Sequence, residues 1–250
     1  MTLLAFGSER FDADLVVFDK DGTLTDFEHQ WGQLAGTWLE SLSGEAGGEA
    51  AVRDMGELLG YDLAGRRTLP DSPLAVAPDE HLQIIVAAVL FRYGVPWAAA
   101  RERATETYRD VVASEPLTGL IRPLGDVSGL LRRLHQSSVG LAVVTTDNRS
   151  RTEAVLPILG IDRLVDDVVC GDDGLDWKPA PDMLLAVCRR LCVEPARVAV
   201  VGDSVADMLM ARQAGGGLCV GVLTGTGDRM QLAAHADVLL ESIDEIAVVG

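Results

Sequence analysis

Asp19 and Asp21 stand at the end of an apolar run, Leu15-Val16-Val17-Phe18, and Gly22 follows them. A continuous apolar run predicts a strand covered on both faces, as in a parallel sheet. Asp19 then falls at the carboxyl end of that strand, where open α/β sheets place their ligands. Gly22 lets the backbone turn sharply, so both carboxylates can face one crevice. Two carboxylates so placed have the residue types for nucleophilic and for acid/base work. The pattern returns at Val198-Ala199-Val200-Val201-Gly202-Asp203, with Asp207 four residues further on. Asp207 is expected about one turn along the next helix, on the same side as Asp203. A third apolar strand, Leu141 to Val144, runs into Thr145 and Thr146. Lys178 precedes Pro179-Ala180-Pro181, where two prolines stiffen the turn.

The string Asp19-Lys20-Asp21-Gly22-Thr23-Leu24 after an apolar strand resembles the first motif of the haloacid dehalogenase (HAD) superfamily. The strand ending in Thr145, the Lys178-Pro-x-Pro segment and the Asp203/Asp207 pair resemble its second, third and fourth motifs. The resemblance covers Met1 to Thr25 and Leu117 to Gly250, and it is most similar to phosphatases of the phosphoglycolate phosphatase kind. It implies Asp19 as nucleophile, Asp21 as general acid/base and Lys178 as the cation that neutralises the nucleophile and the transferring phosphoryl group. Mg²⁺ is implied between Asp19, Asp203 and the backbone carbonyl of Asp21, with Asp207 holding a metal-bound water or orienting Lys178. Phosphate oxygens are implied to meet Thr145, the N–H of Thr146, Lys178 and the N–H groups at Lys20 and Gly22. The chemistry is sound: a carboxylate can attack phosphorus, splitting one hard displacement into two easier ones. A second carboxyl group must then protonate the leaving oxygen and later take a proton from water.

These residues need a scaffold, and the apolar patterning supplies one. Residues 26–116 show helical periodicity at 29–42, 49–59, 78–93 and 97–113, with loops between them and no convincing strand. They interrupt an α/β pattern that resumes near Leu120. The expectation is a Rossmann-like three-layer parallel sheet core, residues 1–25 and 117–250, with an inserted all-helical cap domain at 26–116. Beyond the motifs, strands are expected at 165–170, 218–222 and 237–240, and a last helix from Ser242. Asp203 doubles as a candidate helix N-cap. The loop containing Gly225 and Gly227 shows no chemistry.

The 250 residues hold 38 acids and 21 basic residues, a net charge of −17. So acidic a chain argues against nucleic acid or an anionic membrane as partner. Attraction for a small phosphorylated metabolite must then be local. No apolar run approaches the roughly 18 residues a membrane span needs. Met1 to Arg10 lacks the pattern of a signal peptide, and the four cysteines read as small reduced thiols of a cytoplasmic protein. A monomer or homodimer is expected.

Asp21 argues against a dehalogenase, since a departing halide needs no proton, and against P-type pumps, which carry Thr there. A β-phosphoglucomutase-like phosphomutase is the alternative on the same core. No lysine occurs between Thr25 and Leu120, which counts against a Schiff-base phosphonatase. A non-catalytic binding protein on this scaffold is a further alternative. Lys20 departs from the apolar residue usual in the phosphoglycolate phosphatase-like motif. Phosphate needs only its backbone N–H, so the side chain is expected to matter little. His29, Arg53, Arg66 and Arg67 are candidates for a second anionic group, and most are expected to be surface charges.

Overall fold

The computed structural model describes residues 2–249, and it divides into two compact units, Met1–Asp26 with Ile121–Gly250, and Phe27–Leu120. In chain order the first unit opens with β1 (Thr2–Phe6), β2 (Glu9–Ala13) and β3 (Leu15–Phe18). The second unit holds α1 (Gln33–Ser41), α2 (Gly48–Leu59), β4 (Tyr61–Asp62), β5 (Arg67–Thr68), α3 (Pro73–Val76), α4 (Asp79–Arg92), α5 (Trp97–Ser114) and α6 (Leu117–Leu120). The first unit then resumes with α7 (Val127–Gln136), β6 (Gly140–Val144), α8 (Arg149–Leu159), β7 (Asp167–Val169), α9 (Asp182–Leu191) and β8 (Val198–Gly202). It ends with α10 (Val205–Ala214), β9 (Leu218–Val222), α11 (Arg229–Ala233), β10 (Val238–Leu240) and β11 (Ile246–Val248).

The first unit is a Rossmann-like α/β fold built on a six-stranded parallel sheet in the order β10-β9-β8-β3-β6-β7. Its apolar strands are buried on both faces, as the run Leu15 to Phe18 requires. Alternation along β3 sends Val16 and Phe18 to one face, where they pack with Leu130, Leu131, Leu134 and Val155 of α7 and α8. Leu15 and Val17 go to the other, against Met183, Val187, Met208 and Ala211 of α9 and α10. Two separate cores on one sheet make three layers. The register sets Phe18 beside Val143 and Val201. Asp19, Thr145 and Asp203 therefore follow the last paired residues of three adjacent central strands.

The second unit packs Trp38, Met55, Val86, Leu90 and Ala104 into its own core. Trp38 meets the Tyr108 ring edge-on at 5.0 Å and donates Nε1–H to Thr107 Oγ1. Gly60, at φ 74°, ends α2 as the sequence predicts.

Several expectations are corrected. The inserted unit is not all-helical: β4 and β5 form a two-residue antiparallel pair, too short for an alternating pattern to register. The last helix expected from Ser242 is no more than one turn. A single 3₁₀ turn, Ile243–Glu245, leads into β11, which pairs with β1. The strand expected at 165–170 is only Asp167–Val169. The β1–β2 hairpin was not foreseen; its signal is Gly7-Ser8 between two short strands, with Gly7 at φ 59°. Among the described residues no helix is long and apolar enough to cross a membrane. The four cysteines are free, and all but Cys192 are buried.

Candidate active site

The site grows from three strand ends and one loop. The β3 ladder continues one residue past the strand, with Asp19 N–H donating to Val201 O at 2.8 Å. The chain then folds back on itself: the Lys20 carbonyl accepts from Leu24 N and Thr25 N, and Gly22 N–H donates to Thr25 O at 2.7 Å. Gly22 sits at φ 90°, and a Cβ there would lie 2.5 Å from Asp203 Oδ2. Both the turn and the approach of Asp203 therefore demand glycine.

Lys178 reaches the site from the segment between β7 and α9, not from a strand end. Its Nζ lies 2.6 Å from Asp19 Oδ1 and 2.7 Å from Asp207 Oδ1. It also donates to Val144 O at 2.8 Å. Asp207 is the third residue of α10. Its Oδ2 accepts from Ser204 N–H and Oγ–H, while Asp207 N–H donates to Ser204 Oγ, a capping box. The helix cap is thus Ser204, not Asp203. Both oxygens of Asp207 are engaged, one on the cap and one on Lys178.

Asp203 is enclosed by a loop that the sequence left without a role. Thr226 N–H donates to Asp203 Oδ2 at 2.8 Å and Thr226 Oγ1 lies 3.3 Å away. A Cβ on Gly225 would lie 1.9 Å from Asp203 Oδ2. Thr224 Oγ1–H donates to Gly22 O at 2.7 Å, tying this loop to the first one. The glycines around Thr226, spaced Gly225-Thr-Gly227, are the signal that could have marked it.

Carboxylate oxygens of Asp19, Asp203 and Asp207 lie within 4.8 Å of one another. Three buried or half-buried acids against one lysine leave surplus negative charge in a poorly solvated place. Burial pushes the Asp19 carboxyl up to about 7, opposed by Lys178 and reinforced by Asp207 and Asp21. Burial likewise holds Asp203 well above the ordinary carboxylate range, with Asp19 and Asp207 adding to it. Burial works against the charge of Lys178, but Asp19 and Asp207 outweigh it and raise its pKa. An all-oxygen donor set with excess negative charge is what a hard divalent cation requires. Asp19 keeps 11 % of its side chain exposed, so it is not sealed off from solvent.

Thr145 is buried and its Oγ1 accepts from Asp147 N–H at 3.1 Å, which leaves the hydroxyl proton for another acceptor. Thr146 follows it at the end of β6. Lys20 overturns the expectation that its side chain matters little. It is fully buried, with Nζ 2.5 Å from Asp21 Oδ2 and 3.0 Å from Asp147 Oδ2. The other oxygen of Asp21 accepts from Thr25 Oγ1–H at 3.0 Å. Asp147 in turn pairs with Arg151 Nη1 at 3.0 Å. Neither Asp147 nor Arg151 was singled out from the sequence.

In the second unit Arg66 pairs with Glu40 and Arg67 with Asp62, both arginines well exposed, and His29 meets Gly119 O and Gln33. The two arginines are the surface charges expected of most of that set.

A family model described as haloacid dehalogenase-like hydrolase matches residues 13–215. Validoxylamine A 7'-phosphate phosphatase of Streptomyces hygroscopicus subsp. limoneus is 31% identical over 236 residues, covering 93% of this chain and 95% of that one. Phosphoglycolate phosphatase of Escherichia coli strain K12 is 28% identical over 261 residues, covering 92% and 90%. Among solved structures, a HAD-superfamily hydrolase, subfamily IA, variant 1, from Geobacter sulfurreducens superposes with a TM-score of 0.60 at 20% identity, covering 94% and 95%.

Proposed function

The chain belongs to the haloacid dehalogenase-like hydrolase family, and from that premise we propose that it is a Mg²⁺-dependent phosphatase. It hydrolyses a small phosphorylated metabolite through an aspartyl phosphate on Asp19. The carrying observation is the acid-rich cluster of Asp19, Asp203 and Asp207 closed by Lys178, with Asp21 two residues from the nucleophile. Relatives named as phosphatases support the reaction class. Their names carry different substrates, so the proposal stops at a phosphate monoester of a small metabolite.

Asp19, Asp203 and the backbone carbonyl of Asp21 would hold Mg²⁺. When bound, it supplies positive charge that keeps Asp19 ionised and stabilises phosphoryl oxygens. The Asp19 carboxylate attacks phosphorus and the bond to the leaving oxygen breaks. Lys178, the Thr145 hydroxyl and the N–H groups at Lys20, Gly22 and Thr146 take up charge on the equatorial oxygens. Asp21 gives its proton to the departing alkoxide. Asp21 then takes a proton from water, whose oxygen attacks the phosphorus. The bond to Asp19 breaks, inorganic phosphate leaves and both carboxyl groups return to their starting states. Residues 26–116 act as a cap that excludes water and selects the substrate. A cytoplasmic setting belongs to the same reading, and the free, mostly buried thiols are consistent with it.

The test is phosphate release from a panel of phosphorylated metabolites, with and without Mg²⁺. The reading expects metal-dependent release from a few compounds and none from Asp19→Asn. Release that requires a sugar bisphosphate would point to a mutase instead. No release from any compound would sink the phosphatase.

A further inference from the structure

Lysine is rarely enclosed completely, because its charge loses all hydration unless acids replace it. Lys20 is enclosed completely, and two acids replace the water: Asp21 of its own loop and Asp147 of the loop after β6. The chain of charges runs on to Arg151, one turn into α8 and only 9 % exposed. Signs alternate along it: Asp21, Lys20, Asp147, Arg151. Among these four described residues two acids face two bases.

The geometry is specific about what Lys20 touches. Its Nζ takes one oxygen of Asp21, and Thr25 takes the other. The far acid is itself pinned. Asp147 Oδ1 accepts from Asn148 N–H at 2.7 Å as well as from Arg151, and Asp147 N–H donates to Thr145 Oγ1. Asn148 caps α8 through Arg151 N–H, which fixes the turn that carries Asp147. Lys20 therefore bridges the first loop to the second, and both loops supply groups to the proposed phosphoryl site.

We propose that Lys20 is a positioning residue for Asp21: anchored on Asp147, it holds the general acid/base carboxyl in place and locks the Asp21 loop to the Thr145 loop. This rests on the phosphatase reading for the role given to Asp21. Removing the lysine frees one Asp21 oxygen and lets the carboxyl rotate about its side-chain torsions. A displacement on the order of 1 Å in a reacting group costs about a hundredfold in rate. Lys178 and the backbone N–H groups still meet the phosphoryl oxygens when the side chain of residue 20 is changed, so the loss should fall on kcat far more than on KM.

The test uses Lys20→Met, Asp147→Asn and the double variant on the whole chain, with a turned-over alkyl phosphate and with p-nitrophenyl phosphate. For Lys20→Met the expected kcat on the alkyl phosphate falls about a hundredfold, with KM within about threefold. p-Nitrophenolate leaves without a proton donor, so its release should stay fast for one enzyme equivalent. It should then slow, because Asp21 must still activate water. A merely structural lesion slows the burst and the turnover alike. Lys20→Met strips the partner from one oxygen of Asp147 while Arg151 keeps the other, and the double variant removes that unpartnered oxygen's charge. Positioning predicts that kcat stays as low as in Lys20→Met, whereas recovery to the wild-type rate would show that only the orphaned acid mattered. Should Lys20→Met not fold, Asp147→Asn decides, with an expected drop of about tenfold in kcat against no change. An unchanged kcat in folded Lys20→Met overturns the proposal. So does a crystal structure of it with the Asp21 carboxyl unmoved. If the wild type releases no phosphate from any ester, the phosphatase reading has failed, and the crystallographic comparison still tests what holds Asp21.

Discussion

Two ionic clusters sit at neighbouring strand ends, and they are built on opposite accounts of charge. Around Lys178 stand Asp19, Asp203 and Asp207, three acids to one base. Around Lys20 stand Asp21, Asp147 and Arg151, two acids to two bases. Burial makes the difference matter. In a poorly solvated place an unbalanced charge must be neutralised by a proton or by a cation from outside. A balanced set is satisfied by itself and is costly only when one member is removed. Surplus charge thus marks where something binds, and balance marks what is held still.

Breaking the unbalanced cluster at Lys178, its only base among the described residues, should have the largest effect. Lys178→Met leaves Asp19 and Asp207 buried without their partner and removes the cation nearest the attacking oxygen. Loss of such a preorganised group costs on the order of 10²–10³ in kcat. A steady-state comparison at saturating Mg²⁺ checks it, and a kcat within tenfold of wild type would contradict the role given to Lys178.

The second break concerns the metal. Mg²⁺ should raise the melting temperature of the wild type, because a ligand that binds only the folded state stabilises it by mass action. At about a hundred times its Kd that amounts to about 2.7 kcal/mol. Asp203→Asn should lose most of this shift, whereas Asp147→Asn, which removes an acid of the other cluster and leaves no surplus negative charge there, should keep it. Calorimetry of the three proteins with and without Mg²⁺ separates the clusters directly. Equal Mg²⁺ shifts in wild type and Asp203→Asn would remove Asp203 as a ligand.

The third prediction sharpens the same contrast by pH. Asp19 titrates near 7 in the metal-free fold, above its ordinary value of 3.8. Between those values the folded state holds more protons than the unfolded one. Stability from this group therefore falls as pH rises through the window. Protons and Mg²⁺ compete for the same carboxylates, so the Mg²⁺ shift in melting temperature should be larger at pH 8 than at pH 5.5. The reverse order would mean that the metal does not bind these acids.

Which of these residues the sequence announced follows from how local their signals are. Asp19, Asp21, Asp203 and Asp207 each lie within a few residues of an apolar strand, and strand ends are readable from periodicity. Lys178 is carried by its prolines. Asp147 and Arg151 stand at i,i+4 spacing, but Lys20 lies more than a hundred positions from them and no spacing rule connects it to that pair. Its one sequence trace is a lysine wedged between two acids, paired with an acid two residues past Thr145. The loop around Thr226 was passed over for a different reason. Its work is done by backbone N–H and by the absence of side chains at Gly225 and Gly227, which no list of titratable residues contains. In the fold, β4, β5 and β11 escaped because two or three residues are too few to show alternation. The sheet, its burial on both faces and the inserted helices were legible because those patterns run over many residues.

The smallest effect belongs to Ser204, where helix formation and the acid-rich cluster meet. Its hydroxyl donates to Asp207 Oδ2 at 2.6 Å and accepts from Asp207 N–H, so one side chain caps α10 and fixes the acid that holds Lys178. Ser204→Ala loses an N-cap, which costs about 1 kcal/mol, or a fall of roughly 2–4 °C in melting temperature for a domain of this size. The backbone N–H of residue 204 would still reach Asp207 Oδ2, so the acid keeps one restraint and kcat should fall by no more than about threefold. Ser204→Thr, which restores the hydroxyl, should recover both. A stability loss without any change in kcat would show that the cap and the orientation of Lys178 are separable. A kcat loss far beyond threefold would show that Asp207 depends on the hydroxyl alone.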